Sequence, residues 1–130
     1  MAALTLLERL APRRADAWCR TALVRGTGLQ EVVDGAVRQL ARCGPADLAL
    51  VFASASFASD LPRLLPLLQH KLRARHWLGC LGGGVVGTGG DGQPHELEQD
   101  PALSVTLLHL PGTAVHPFVL DGTNLPDLDG

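Results

Sequence analysis

The chain has 130 residues, 46 % hydrophobic and 18 % charged, with a formal net charge of −2. That length suits one domain with a modest core, and the near-neutral charge leaves no basic footprint for nucleic acid or an acidic membrane surface. Two tryptophans and three phenylalanines are too few for base-stacking platforms, and no apolar run approaches the roughly 20 residues of a membrane helix. At the N-terminus an apolar stretch precedes Arg9, Arg13 and Arg14, the reverse of a secretory signal, and Glu8 interrupts the pattern of an organelle transit peptide. Residues 1–16 therefore read as a tail or short surface helix. Residues 17–24 are rich in β-formers and end at Gly26, which predicts a strand. Leu29, Val32, Val33, Ala36, Val37, Leu40 and Ala41 then recur at the 3.6-residue period of a helix. Thr27 and Gln30 have capping-box spacing, and Gly44-Pro45 closes the helix.

Leu48–Ala53 is a continuous apolar run without alternation, the pattern of a central parallel strand buried on both faces. Ser54 to Ser59 form a small polar crossover. From Asp60 a second amphipathic stretch sets Leu61, Leu64, Leu65, Leu68 and Leu72 on one side. Ser59 is placed to cap it, and Pro66 should kink it or delay its start. His76 to Leu81 form a third strand, and Gly89 to Pro94 a turn. Residues 102–110 and 113–120 read as an antiparallel hairpin around Pro111-Gly112. Residues 121–130 have few apolar anchors. The predicted fold is α/β, a β-α-β-α-β mainly parallel sheet followed by an antiparallel β-hairpin in a layered architecture. The domain spans 17–121, with a flexible tail over 122–130.

The chemistry concentrates at residues 76–92, where eight of the fifteen glycines fall between Gly79 and Gly92. Such density requires either unusual backbone angles or a close approach to bare main chain. Gly82-x-Gly84-x-x-Gly87 matches the dinucleotide fingerprint, but the residues that follow do not sustain the helix that fingerprint needs. No Lys-Ser/Thr follows, which excludes a Walker loop. Two readings stay open: a turn where backbone packs on its own protein, and a ligand pocket floored by backbone N–H groups. Cys80, with His76 four residues earlier, offers a thin basis for a nucleophile, against a structural thiol. His95 with Glu96 and Glu98 reads as a solvated loop rather than a metal site. Ser54 and Ser56 divide evenly between ligand contact and local structure. Cys19, Cys43 and Cys80 show no paired spacing, which fits reduced thiols in a cytoplasmic compartment.

Asp47-Leu-Ala-Leu-Val-Phe-Ala-Ser54, Trp77-Leu-Gly-Cys-Leu-Gly-Gly-Gly-Val-Val-Gly87 and Ala102-Leu-Ser-Val-Thr-Leu-Leu-His-Leu-Pro-Gly112 together resemble the N-terminal part of the FIST domain, a sensory module named for F-box and intracellular signal-transduction proteins. The resemblance covers roughly residues 17–121. The family's full module is longer, so the chain reads as a short form or a piece of a longer protein. The resemblance implies small-molecule sensing in signal transduction, with amino acids or their derivatives as ligands, and implies neither catalysis nor a cofactor. The expected ligand pocket lies over the carboxyl ends of the strands at 48–53 and 76–81. Ser54, Ser56 and Phe57 form one wall, and Gly79, Cys80, Gly82, Gly83 and Gly84 the other. The alternative function is a structural or partner-binding protein that completes its sheet by oligomerisation, or in a larger complex, through the 102–120 hairpin edge.

Overall fold

The computed structural model describes residues 16–125. The expected tail over 1–16 lies outside that range except for Asp16, as does the end of the chain from 126. Strand β1 (Trp18–Arg25) leads into helix α1 (Leu29–Leu40), then β2 (Ala46–Ser54), a 3-10 turn (Ala55–Asp60) and helix α2 (Leu61–Lys71). Strands β3 (Ala74–Gly82), β4 (Gly84–Thr88), β5 (Pro94–Glu98) and β6 (Ala102–His109) follow. Four strands form one sheet in the order β1-β6-β2-β3, and β4 pairs with β5 in a separate two-stranded sheet.

The class is α/β, but the main sheet is mixed rather than mainly parallel. β2 and β3 are parallel, whereas β6 runs antiparallel to both β1 and β2. β1 and β2 therefore point the same way without pairing, and β6 fills the space between them. The apolar sequence of β6 explains this, because Ala102, Leu103, Ser104 and Val105 are all buried, which requires cover on both faces. Residues 113–120 are not its hairpin partner. They contain Pro117, which has no N–H to donate, and Phe118, Val119 and Leu120 stay exposed. The Pro111-Gly112 turn does form, with Thr113 N–H donating to the Leu110 carbonyl. Since β6 is interior, residues 102–120 offer no sheet edge for a partner; the free edges belong to β1 and β3. The antiparallel hairpin is β4–β5 instead, so His95 and Glu96 lie on a strand and not in a loop.

Both helices direct their buried residues, Val32, Val33, Ala36, Leu40, Leu64 and Leu68, into one core with Ala22, Ala49, Val51, Ala53, Val105 and Leu107. Two expected caps are replaced. Gly28 and Asp60 occupy the N-cap positions, neither with a side-chain cap bond, and Gln30 bonds Asp34 instead. α2 runs unbroken through Pro66. Opposite the helices, Leu23 and Ala102 form a second small core with Val85 and Leu97 of the β4–β5 hairpin. Gly87 lets this hairpin lie close on the sheet: a Cβ there would stand 2.9 Å from Thr21 Cγ2 and 3.1 Å from Ser104 Oγ.

Candidate functional site

The glycine-rich segment splits into two parts with different surroundings. Gly79 sits inside β3 opposite Val51 of β2. A Cβ at Gly79 would lie 1.9 Å from the Val51 carbonyl oxygen, a separation no side chain tolerates. Bare main chain does meet something here, namely the protein's own neighbouring strand. Gly82 to Gly84 lie at the turn from β3 into β4, where Gly83 has open space around it. The segment continues as a strand, so the glycines do not open a helix.

Beside Gly79 a cavity of about 350 Å³ opens between β3 and α2. Val51, Ala53, Leu64 and Trp77 line it from within, and Leu61 and Leu65, 43 % and 37 % exposed, stand at its mouth. Cys80 and Val119 reach it from the β3 edge and the C-terminal segment. The lining is almost wholly apolar, which suits a small ligand with an apolar body. Trp77 is fixed in place by its Nε1–H, which donates to the Ala74 carbonyl at 3.1 Å. β3 is an edge strand, so alternate main-chain donors and acceptors on its outer side have no strand partner.

Of the residues expected at the site, Gly79 and Cys80 line this cavity, and the others sit elsewhere. The Ser54 hydroxyl is buried and committed to the chain. It accepts the Ala102 N–H at 2.8 Å and lies 2.9 and 3.2 Å from the Asp100 and Ala102 carbonyls. It thereby latches the end of β2 to the start of β6. Phe57 is a core side chain, 2 % exposed. Ser56 is exposed on the 3-10 turn. The cavity thus lies along the middle of β3 rather than beyond its carboxyl end. His76 and Cys80 share a face, but four residues of strand separate their Cα atoms by about 13 Å, beyond hydrogen-bond reach. His95 pairs with Asp91 at 2.8 Å, and the Asp91 carboxyl is held below its ordinary range by the Gln93 backbone N–H and by His95.

Sequence reasoning assigned only Gly79 and Cys80 of the lining to the site and missed the rest, among them Leu61 and Leu65 at the mouth and Trp77 within. For Leu61 and Leu65 the signal lay in the second helix, where five leucines form a stripe wider than the core beneath it. Leu64 and Leu68 fill that core, and the flanking Leu61 and Leu65 are left at the surface.

A second, more polar groove of about 670 Å³ adjoins the cavity at the amino ends of β2 and β3, and Trp77 lines both. There the Asp47 carboxylate accepts the Leu110 N–H at 2.6 Å and lies 3.3 Å from His109 Nδ1. The His109 ring stacks on Trp18, with centroids 5.8 Å apart.

A family model of the FIST N domain matches residues 47–125. The chain belongs to the FIST family. The matched region of this FIST domain begins at Asp47 in β2 and takes in α2 and β3, so it contains the whole cavity. The FIST domain is associated with sensing in signal transduction. Comparison with curated proteins gave no match, nor did comparison with solved structures.

Proposed function

We propose that this FIST domain is a non-enzymatic, small-molecule-sensing module of signal transduction whose ligand enters the cavity between β3 and α2. The observation that carries the reading is the coincidence of Gly79 and Cys80 with an apolar, largely preformed cavity on the family-matched segment. Amino acids with apolar side chains, or their derivatives, are the ligand class, because the walls offer hydrocarbon and the β3 edge offers main-chain donors. Free thiols at Cys19, Cys43 and Cys80 fit a reducing, cytoplasmic compartment, and no described helix is long and apolar enough to cross a membrane. Leu65→Trp fills the mouth of the cavity without touching the core. Titration with leucine and phenylalanine, followed by calorimetry, should show saturable binding to the parent and none to a folded Leu65→Trp variant. Equal binding to both proteins would remove the cavity from the account.

A second reading, a partner-binding module, rests on the free edge of β3. That strand carries no charged residue from Trp77 to Gly82, and such an edge invites strand pairing. Light scattering separates the two readings. A monomer that binds ligand supports the sensor, and a dimer abolished by Leu78→Lys supports the edge.

A further inference from the structure

Resting on the cavity reading above, we infer that the ligand is an amphipathic oxyanion: an apolar body in the β3–α2 cavity and a carboxylate or phosphate head on Arg73 and Arg75. Three observations converge. The polar groove holding Arg73 and Arg75 and the apolar cavity are adjacent, and Trp77 is their common wall. Arg75, Trp77 and Gly79 alternate along β3 and so share one face, and Arg75 lines the groove while Gly79 lines the cavity. Among the described residues the carboxylates that meet a basic side chain do so in Arg25–Asp100, Lys71–Asp34, His95–Asp91 and His109–Asp47, so neither Arg73 nor Arg75 is neutralised by a carboxylate.

The remaining groups of the groove fit an anionic head. Asp47 is the one carboxylate in its lining, and its Oδ2 accepts the Leu110 N–H and lies beside His109 Nδ1. Gln69 adds a neutral side-chain amide at the rim. Two arginines present planar donor forks, the geometry that carboxylate and phosphate oxygens accept best. From Arg75 to Gly79 the strand rises about 13 Å. A ligand that spans both compartments therefore has a body of several carbon–carbon bonds and one charged end. A short polar anion would leave the cavity empty, and an uncharged hydrocarbon would leave both guanidinium groups unused.

The test uses the full chain and four probes at constant ionic strength: octanoate, octyl phosphate, 1-octanol and acetate. Calorimetric titration should give octanoate or octyl phosphate an affinity at least tenfold above that of 1-octanol, and acetate no measurable binding. The stronger of the first two identifies the head group. The double variant Arg73→Gln/Arg75→Gln should reduce the charged probe to the 1-octanol level and leave 1-octanol unchanged. Arg20→Gln, which removes one positive charge from β1, should change nothing. Equal binding of octanoate and 1-octanol to both proteins would overturn the head assignment while the cavity reading stands. Failure of every eight-carbon probe would overturn the head assignment, and failure of leucine and phenylalanine as well would overturn the cavity reading. Acetate bound as tightly as octanoate would overturn the shared-ligand inference by removing any role for the cavity.

Discussion

The two faces of the four-stranded sheet are finished to different degrees. On the helix side Ala22, Ala49, Val105 and Leu107 are closed off completely or nearly so, and an apolar cavity opens beside Gly79. On the other side the β4–β5 hairpin covers β1 and β6 through Val85 and Leu97, but it stops short of β3. Phe52 and Leu78 there remain 37 % and 39 % exposed. Glycine decides both outcomes. At Gly87 the missing side chain lets a hairpin settle on the sheet, and at Gly79 it lets β3 close on β2 while sparing space below α2. The same residue type in the same segment thus closes one face and shapes the opening in the other.

The comparison can be broken at each glycine. Gly79→Val should have the largest effect, since the added Cβ meets main chain that cannot turn aside. A loss on the order of 4 kcal/mol or more is expected from such a clash, read as a fall in the denaturant midpoint with β3 amides losing exchange protection. Gly87→Val should cost about 1–3 kcal/mol, in the range of overpacking. Exchange protection should fall in β4 and β5 and persist in β2 and β6; uniform loss across the sheet would show that the hairpin is not a separate cover. Ser54→Ala should cost roughly 1–3 kcal/mol, because it leaves the buried Ala102 N–H without its acceptor. Its chemical denaturation curve should shift without a change of slope.

A smaller effect tests the helix side. Lys71 Nζ lies 2.6 Å from Asp34 Oδ1 and ties α2 to α1, and this bond, with help from Gln30, depresses the Asp34 carboxyl below its ordinary value of 3.8. A depressed carboxyl stabilises the fold above that ordinary value and loses its contribution as pH falls through the depressed one. The melting temperatures of the parent and Asp34→Asn should therefore differ at neutral pH and converge in acid. The smallest effect belongs to the open face, where Phe52→Ser and Leu78→Thr should each stay within about 0.5 kcal/mol of the parent. A larger loss at either position would mean that this face is covered in solution.

Much of this was legible from local pattern. The unbroken apolar run of β2 marked an interior strand, although only its helix-side face is fully covered and Phe52 on the other stays exposed, and the periodicity of α1 located its core residues. The partner of β6 was not legible. Its run 102–109 signals a strand covered on both sides, but the choice between a neighbouring hairpin and the gap between β1 and β2 is made by contacts distant in sequence. The β4–β5 hairpin was hidden for a different reason. Each of its strands buries a single side chain, Val85 or Leu97, and glycine and proline dominate what surrounds them. The alternation of Glu96, Leu97 and Glu98 was the available signal. Of the residues that line the cavity, Gly79 and Cys80 stood out by glycine density. Leu61 and Leu65 were not, because a leucine stripe on a helix does not reveal which of its edges the core leaves uncovered.

The most direct measurement is a backbone-amide NMR titration of the full chain with octanoate. Saturable shifts are expected at Leu61 to Leu65 and at Trp77 to Cys80, with Gly82 to Gly84 and Ser54 to Ser56 unmoved. Shifts confined to the β3–β4 turn and the end of β2 would contradict it.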